Sequence, residues 1–563
     1  MARPVEGLPL DAISLLALLA ALGLSLLVLD RVGDRDHLRA RLTERFYLGV
    51  PWGTVVVIGW LLFVYFVVQG ALFHPGTPLV IPFRSWSYFY PLGMVFAAFG
   101  HNGQAHLVGN LLTTVAFAPI AEYAWSHYAV STDAHLLGDR LQGPRRRIPA
   151  FVAGVLGVGL LTSLFVPGPL IGFSGVVFAF GGLALVSFPL ASVLAILGER
   201  LVSLFYHALT DPTSIAVAQQ RFITPGWVGI AVQGHALGLL IGVVVGVVLL
   251  RRRAVAPSLP RVWFAGVVFS VSEGLFALYW LVGADRFLLF RALGLAAILL
   301  FATFVAVALS DPDRRFLPGV DLRPIPVLGP IAAARRQIAW SLVVGALVLI
   351  AVVAVPFNLI TVGDPGGDGV EVGDYRVTYA ENVPDQSVAN VPLIDAIPGV
   401  AGALSSVQAS GVIVVNEKRN MWEEVVPAGL LAFRGHATVT VGGLGWRETV
   451  GVNRTAWTVV DGGSTYTVYI RRPGQGARRV FMADPVMVPS LLDGKRVRIR
   501  PTADGYVLDV TENATLLASV GMPTAGSRAQ IAGLTFTREG RDLIASYDRT
   551  RIHIANLRLS ERP

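Results

Sequence analysis

The chain of 563 residues has no cysteine, so it can form no disulfide and offers no thiolate to a metal. It also has few charged residues, 15% of the total, whereas 54% are hydrophobic and the mean hydropathy is +0.62. A soluble globular protein of this length carries a smaller apolar fraction. The composition therefore predicts an integral membrane protein that depends on packing and on the bilayer for its stability.

The net charge of +8 does not by itself indicate a nucleic-acid partner. Much of the basic excess lies in short arginine runs beside apolar segments, where arginine orients helices in a membrane. We therefore expect the lipid bilayer, and no nucleic acid, among the partners of this chain.

Ten apolar stretches precede residue 362, and about 20 such residues suffice to cross the roughly 30 Å hydrocarbon core. The predicted spans are 8–29, 52–73, 104–123, 149–166, 174–188, 191–206, 228–250, 263–282, 289–310 and 338–360. Two of them nearly meet at Pro189. Glu273 falls within the eighth span and needs a partner, for which Arg291 is one candidate.

The positive-inside rule gives the orientation of these spans. With ten spans, the arginine runs at 145–147, 251–253, 314–315 and 335–336 all fall on one side, the cytoplasmic one. The N-terminus and the region after residue 362 then lie outside, in a multi-pass protein of the cell membrane. The first span could instead be a cleaved signal peptide, but its nearly neutral start and the lack of a small-residue cleavage site before Asp30 favour a retained helix.

From Gly363 onward, apolar and polar residues alternate, as at 411–415, 437–441, 464–470 and 496–500. Such runs, broken by Gly, Pro and Asp, predict short antiparallel strands in one β-sandwich or barrel-like domain. Two Asn-x-Ser/Thr sequons, at Asn453 and Asn513, agree with an outside location. We expect this domain to recruit substrates, shield the membrane-embedded site or contact other surfaces, and the sequence does not choose among these roles.

Three motifs in the central spans carry groups that could perform chemistry. His106 and Asn110 are four residues apart, so on a helix they share one face and could hold a developing oxyanion. Ser174 lies between glycines at the start of an apolar run, where unpaired backbone N–H groups could serve the same purpose. His235 lies in a later span, and a histidine inside a membrane is a functional-site candidate by default.

Each motif also has a structural interpretation. The polar side chains could simply bond to neighbouring helices, and serine beside glycine is common where membrane helices pack. Gly238 and Gly242 form a small-xxx-small face, which could bring the His235 helix against the Ser174 helix at Gly181 and Gly182. The imidazole would then reach the serine hydroxyl and could act as its general base.

Together, the order and spacing of the three motifs resemble the rhomboid intramembrane serine proteases. The resemblance covers roughly residues 51–250 and rests on HLVGN at 106–110 (H-x-x-x-N in the family), GFSG at 172–175 (G-x-S-G) and HALG at 235–238 (H-x-x-G). Glu122 also fits a position where the family carries a glutamate.

The resemblance implies a catalytic dyad of Ser174 and His235, with no aspartate, in a water-filled cavity that opens to the outside. His106, Asn110 and the backbone N–H of Ser174 would hold the oxyanion. No cofactor or metal is implied. The substrates would be single-span membrane proteins cleaved near the outer face, and the oligomeric state is not indicated.

Further residues take supporting roles by the same resemblance. Gly172 would shape the turn before the serine, and His101 would support the cavity. Phe178 stands where the family often has a tyrosine stacked on the histidine, and phenylalanine keeps the stacking face. Trp86-Ser87 replaces the Trp-Arg pair of many members, so anchoring of the first outer loop should differ. The long segment 210–227 could act as a gate.

The predicted fold class is thus a polytopic α-helical membrane protein with a six-helix rhomboid core, about four extra transmembrane helices and a C-terminal all-β extramembrane domain. The predicted domains are 1–50 (first helix and basic linker), 51–250 (catalytic core), 251–361 (three further helices) and 362–563 (extracytoplasmic β domain).

Three other functions compete with intramembrane proteolysis as an interpretation of this sequence. A rhomboid-like protein that binds or escorts membrane clients without cutting them is the main alternative, although such relatives usually lack the serine or the histidine kept here. A metalloprotease would need His-Glu-x-x-His, which is absent. A transporter should show paired interrupted helices in two halves, and no such symmetry is visible.

Overall fold

The computed structural model describes residues 10–32, 35–128, 143–213, 231–253, 255–281, 287–310, 328–364, 366–392 and 407–558. The chain divides into two compact units, a helical one that ends at Leu359 and a β-rich one that begins at Ile360. The predicted gate at 210–227 falls outside the described residues from position 214 onward.

Apolar helices dominate the first unit, and each of the ten predicted spans overlaps one of them. Within the described ranges, seven are long and apolar enough to cross a membrane, and three shorter apolar helices, at Trp52–Val68, Ser174–Ser187 and Leu259–Ser272, accompany them. The predicted fold class is confirmed. In chain order the helices are α1 (Leu10–Val32), α2 (Arg35–Arg45), α3 (Trp52–Phe63, continued by a π-helical turn at Val64–Val68), α4 (Pro91–Phe96), α5 (Gln104–Trp125), α6 (Pro144–Leu164), α7 (Ser174–Ser187), α8 (Pro189–Thr210), α9 (Val232–Arg252), α10 (Leu259–Ser272), α11 (Arg291–Ala308) and α12 (Leu328–Phe357).

The predicted span at 263–282 is helical only in its first half. Helix α10 ends at Ser272, and the chain turns at Gly274, whose φ of 77° is a conformation that glycine adopts without strain. Strand β1 (Tyr279–Leu281) then pairs antiparallel with β2 (Phe287–Leu289). Hydropathy measures how apolar a stretch is and not its conformation, so it could not separate this hairpin from a helix.

Glu273 therefore lies just after the end of α10 rather than in the middle of a helix. Its charged neighbours are Glu199 and Arg200 of α8. Within the described ranges it forms no ion pair with Arg291, the partner that the sequence suggested.

Helices α7 and α9 pack so closely that backbone touches backbone. A Cβ atom added to Gly238 would lie 1.9 Å from the carbonyl oxygen of Gly175, and one added to Gly242 would lie 2.0 Å from that of Ala179. Gly182 faces α9 in the same way, but a Cβ at Gly181 would instead meet the ring of Phe269. The predicted glycine contact between the two helices is confirmed, except at Gly181, which accommodates a third helix.

Buried polar contacts stabilise one end of the helical unit, which is the end opposite to the first turns of α5 and α9. Arg147 and Arg253 donate to the last carbonyls of α5, at Ser126 and Trp125, where a helix favours positive charge. Glu122 accepts hydrogen bonds from the backbone of the first turn of α3 and lies 2.5 Å from the imidazole of His127. The glutamate noted in the sequence thus lies in a helix-capping network away from Ser174.

The described residues of the second unit are mainly β-strands, with two short helices, α13 (Gln386–Ala389) and α14 (Ala428–Arg434), and a 3-10 turn at Glu417–Arg419. The strands are β3 (Gly369–Val372), β4 (Tyr375–Pro384), β5 (Gln408–Asn416), β6 (Met421–Pro427), β7 (His436–Gly443), β8 (Trp446–Val459), β9 (Ser464–Arg471), β10 (Arg478–Met482), β11 (Val486–Met487), β12 (Arg496–Thr502), β13 (Gly505–Glu512), β14 (Thr515–Gly521), β15 (Arg528–Ile531), β16 (Leu534–Glu539), β17 (Asp542–Tyr547) and β18 (Thr550–Arg558). These described strands form three antiparallel sheets, with the orders β3-β4-β5-β6, β10-β9-β8-β18-β17-β16-β15 (β7 also pairs with β8) and β11-β12-β13-β14. One apolar core lies between the β11–β14 sheet and strands of the eight-stranded sheet, around Trp457, Leu508 and Phe536.

Candidate active site

The serine and histidine singled out in the sequence face each other across the α7–α9 contact. The Oγ atom of Ser174 lies 2.8 Å from Nε2 of His235, a hydrogen-bonding distance. Ser174 is the first residue of α7, and His235 lies in the first turn of α9. The close backbone contact at Gly238 and Gly175, one turn further along, sets this separation.

The other ring nitrogen of His235 has no partner. Its Nδ1 atom is buried and makes no hydrogen bond within the part of the chain that the structure describes. A serine–histidine–aspartate triad would place a carboxylate at this nitrogen. Among the described residues, no acid therefore orients the imidazole through this nitrogen.

Aromatic packing supplies that orientation. The ring of Phe178 stacks on the imidazole of His235, with centroids 4.2 Å apart and planes 12° from parallel. Phe269 of α10 packs edge-on against Phe178 at 5.4 Å and against Phe117 of α5 at 5.3 Å. Phe269 is fully buried, so α10 supports the stacked pair from behind. The sequence carried no signal for this residue, because the contact joins segments about 90 residues apart that only the tertiary fold brings together.

His106 lies against the turn that leads to the serine. Gly172 adopts a φ of 133°, and a Cβ atom at this position would lie 2.8 Å from Nε2 of His106. Glycine is required here because any other residue would be strained in this backbone conformation and its Cβ would clash with His106. The Nδ1 atom of His106 accepts a hydrogen bond of 3.4 Å from the backbone N–H of Asn102, so in the neutral ring Nε2 carries the proton. That N–H is directed toward the turn.

Asn110, one helical turn after His106, presents an unused donor on the same side. Its Nδ2 atom is buried, makes no hydrogen bond in the described structure, and would lie 3.8 Å from a Cβ at Gly172. Only 7% of the residue is exposed. A buried donor without an acceptor costs about 1–3 kcal/mol, so its retention beside the serine turn is typical of a group that gains its partner during a reaction.

Ser174 itself brings backbone donors. Because it begins α7, the N–H groups of Ser174 and Gly175 have no acceptor in the described structure, whereas those of Val176 and Val177 donate to the Phe173 carbonyl. Together with the side chains of His106 and Asn110, they provide three kinds of donor around one point near the hydroxyl.

His101 is more buried than its neighbour His106, and the centroids of the two rings are 5.2 Å apart. It is fully buried, and neither ring nitrogen has a hydrogen-bond partner in the described residues. Its backbone N–H and carbonyl are both held by the side chain of Gln69, at 2.8 Å each. The residue thus forms part of the wall behind His106 and makes no contact with Ser174.

The loop that leads from α3 to α4 is anchored by a residue that the sequence did not single out. Asn358, just after α12, donates to the carbonyls of Leu164 and Val166 at 3.0 Å, and its own carbonyl accepts from Tyr88 N–H at 2.9 Å and from the Ser87 hydroxyl at 3.2 Å. Ser87 therefore anchors the loop inside the protein, at the place where an arginine was expected from the resemblance.

Within the described ranges, no three His, Asp or Glu side chains converge as metal ligands would.

Comparison with known proteins identifies one part of the chain. Residues 88–252 match a family model, that of the Rhomboid domain. No curated protein and no solved structure matches the chain. The matched segment contains α5 to α9, and with them all the residues of the candidate site that were named from the sequence.

Proposed function

This chain belongs to the rhomboid family, and from that premise we propose that it is an intramembrane serine endopeptidase with Ser174 as nucleophile and His235 as general base. The observation that carries the proposal is the 2.8 Å distance between Ser174 Oγ and His235 Nε2, beneath the stacked ring of Phe178. A helix-packing serine would not need a histidine partner that is itself fixed by an aromatic ring.

The proposed reaction begins when Oγ of Ser174 attacks the scissile carbonyl carbon and Nε2 of His235 takes the hydroxyl proton. General base catalysis of this kind contributes about 100- to 10,000-fold. The carbonyl oxygen becomes an oxyanion, which receives hydrogen bonds from His106, Asn110 and the backbone N–H of Ser174. Collapse of this intermediate breaks the C–N bond, and the imidazolium of His235 returns its proton to the leaving amine. Water then hydrolyses the acyl-enzyme by the same steps in reverse order.

We propose that the reaction takes place at the outer face of the membrane and on single-span proteins. The reacting groups lie in the first turns of α5, α7 and α9, whereas Arg147 and Arg253 lie at the other end of the unit. Basic residues favour the cytoplasmic side, so the reacting groups would face outward. A substrate helix must lose backbone hydrogen bonds before its carbonyl can reach Ser174, which favours substrates with helix-destabilising residues near that face.

The test is cleavage of a labelled single-span protein in proteoliposomes by wild type, Ser174→Ala and His235→Ala. Ser192→Ala is the matched control, because Ser192 is a buried helix serine whose hydroxyl, in the described structure, donates only to the Phe188 carbonyl. We expect wild type and Ser192→Ala to cut and the other two variants to be silent.

Because the natural substrate is unknown, the same four proteins should be treated with a fluorophosphonate, which labels activated serines whatever the substrate. Labelling that is lost in Ser174→Ala and His235→Ala supports the dyad. If wild type retains labelled clients without cutting them and takes up no fluorophosphonate, the chain is a client-binding protein instead.

A further inference from the structure

The β unit contains a cavity of about 490 Å³ whose wall is unusually rich in arginine. It is lined by Arg434 at the end of α14, His436 at the start of β7, Arg454 on β8, Arg541 before β17, and Asn556 and Arg558 on β18. All these residues belong to the same unit. Four guanidinium groups, each charged at any physiological pH, therefore surround one space.

None of these four arginines forms an ion pair within the described part of the chain. Elsewhere in the same unit, arginines are paired, such as Arg472 with Glu448 at 2.7 Å and Arg498 with Asp509 at 2.9 Å. Asp542, the neighbour of Arg541 in the sequence, accepts a hydrogen bond of 2.6 Å from Asn556 of the cavity wall. Among the described residues, no carboxylate therefore forms an ion pair with an arginine of the cavity.

Arg454 gives the strongest indication of a ligand. Only 9% of the residue is exposed, and its guanidinium lies 3.8 Å from the centre of the Tyr466 ring. Its side-chain N–H groups make no hydrogen bond in the described structure. The guanidinium nitrogens are not fully buried, so their N–H groups remain open to the cavity, and stacking on tyrosine gives them no hydrogen-bond acceptor. His436 adds a buried Nδ1 atom that also lacks a partner.

We propose that this cavity binds a phosphate-bearing anion. Arginine forks match the geometry of phosphate oxygens, and a phosphate monoester carries nearly two negative charges and three acceptor oxygens. A lone carboxylate, with one charge and two oxygens, would leave most of the four arginines unpaired. The volume lies within the range of small-molecule sites, so the phosphate can carry an organic group. The exposed ring of Phe433 on the same wall would contact that group.

A phosphate of this kind could be a lipid headgroup or a free phosphate compound, and the experiment separates the two. Full-length protein in a non-ionic detergent is titrated calorimetrically with inorganic phosphate, with short-chain phosphatidic acid, and with short-chain phosphatidylcholine. Phosphatidic acid that binds at least about tenfold more tightly than inorganic phosphate identifies a headgroup site. Equal affinity of the two identifies a site for free phosphate.

The variants tie binding to the cavity. Arg454→Gln should weaken binding about tenfold or more, because each charged hydrogen bond contributes about that factor, and Arg454→Lys should retain only part of the affinity. The double variant Arg434→Gln/Arg541→Gln changes only exposed residues, so it tests the site without threatening the fold. Arg528→Gln, an exposed arginine on β15 outside the cavity, is the control and should bind as wild type does.

Binding should also weaken as sodium chloride is raised, since the interaction is between charges. The proposal is overturned if wild type binds neither inorganic phosphate nor phosphatidic acid. It is equally overturned if Arg454→Gln and the double variant bind as tightly as Arg528→Gln. Neither outcome bears on cleavage by Ser174, which lies in the other unit.

Discussion

Replacement of Asn110 by leucine should separate catalysis from stability. Leucine has nearly the shape of asparagine but cannot donate a hydrogen bond. The Nδ2 atom that it removes is buried and has no partner in the described structure, so no ground-state hydrogen bond is lost. An unpaired buried donor costs about 1–3 kcal/mol, and exchange for an apolar group of similar shape is therefore neutral or stabilising. Thermal unfolding of Asn110→Leu in detergent should occur at or above the wild-type temperature.

In contrast to thermal stability, kcat should fall. If Asn110 donates to the oxyanion, its loss costs about 2.7–4 kcal/mol in the transition state, which is about 100- to 1,000-fold in kcat. KM should change little, because the donor acts only after the carbonyl has been attacked. Thr113→Val, a change of similar shape at a half-buried position on the same helix, is the control.

The assay is cleavage of a labelled single-span substrate in proteoliposomes, with kcat and KM determined separately for wild type, Asn110→Leu and Thr113→Val. A kcat within about threefold of wild type would refute the oxyanion role. A loss of more than about 1 kcal/mol in unfolding free energy would show instead that Asn110 is a structural contact between helices, as the sequence alone allowed.

Three more predictions follow from the geometry. Gly238→Ala should abolish cleavage and lower thermal stability, because the new Cβ would lie 1.9 Å from the carbonyl oxygen of Gly175. Gly198→Ala is the control and should do neither, because its new Cβ would have no atom of another helix or loop within 4 Å in the described structure. Phe178→Leu should lower kcat/KM roughly 2- to 10-fold by removing a ring contact of about 0.5–1.5 kcal/mol, and Phe178→Tyr should retain it; equal activity of the two variants would contradict the role of stacking. Burial raises the pKa of Glu424 in the β unit to about 7, despite a backbone hydrogen bond from Ser410 that lowers it, while the unfolded chain keeps the ordinary value of 4.5. The folded form therefore loses stability as pH rises from 4.5 through 7. Glu424→Gln should raise the unfolding free energy by about 1–2 kcal/mol at pH 8 and by almost nothing at pH 4. Denaturant titrations of both proteins at the two pH values check this.

The sequence predicted what depends on local pattern. The apolar spans followed from length and composition, and the serine and histidine were found because each lies in a short motif at the start of a span. The contact between Gly238 and α7 followed from glycine spacing. What could not be predicted depends on contacts between distant segments: nothing local to Ser87 indicates that Asn358, 271 residues later, would bind it. The hairpin after Ser272 was missed because its residues are as apolar as a transmembrane helix.

The helices that follow the rhomboid domain take part in shaping the site. Phe269 of α10 holds Phe178 against the imidazole, and Asn358 after α12 fixes the loop beside the turn that leads to Ser174. One continuous apolar cluster joins core residues such as Phe178 to Phe269 and to Val343 of α12. Residue 250 therefore marks the end of a sequence resemblance, whereas packing continues without a break to Leu359. In a pair without an aspartate, orientation of the imidazole depends on such packing, and here part of that packing is supplied by helices outside the matched domain.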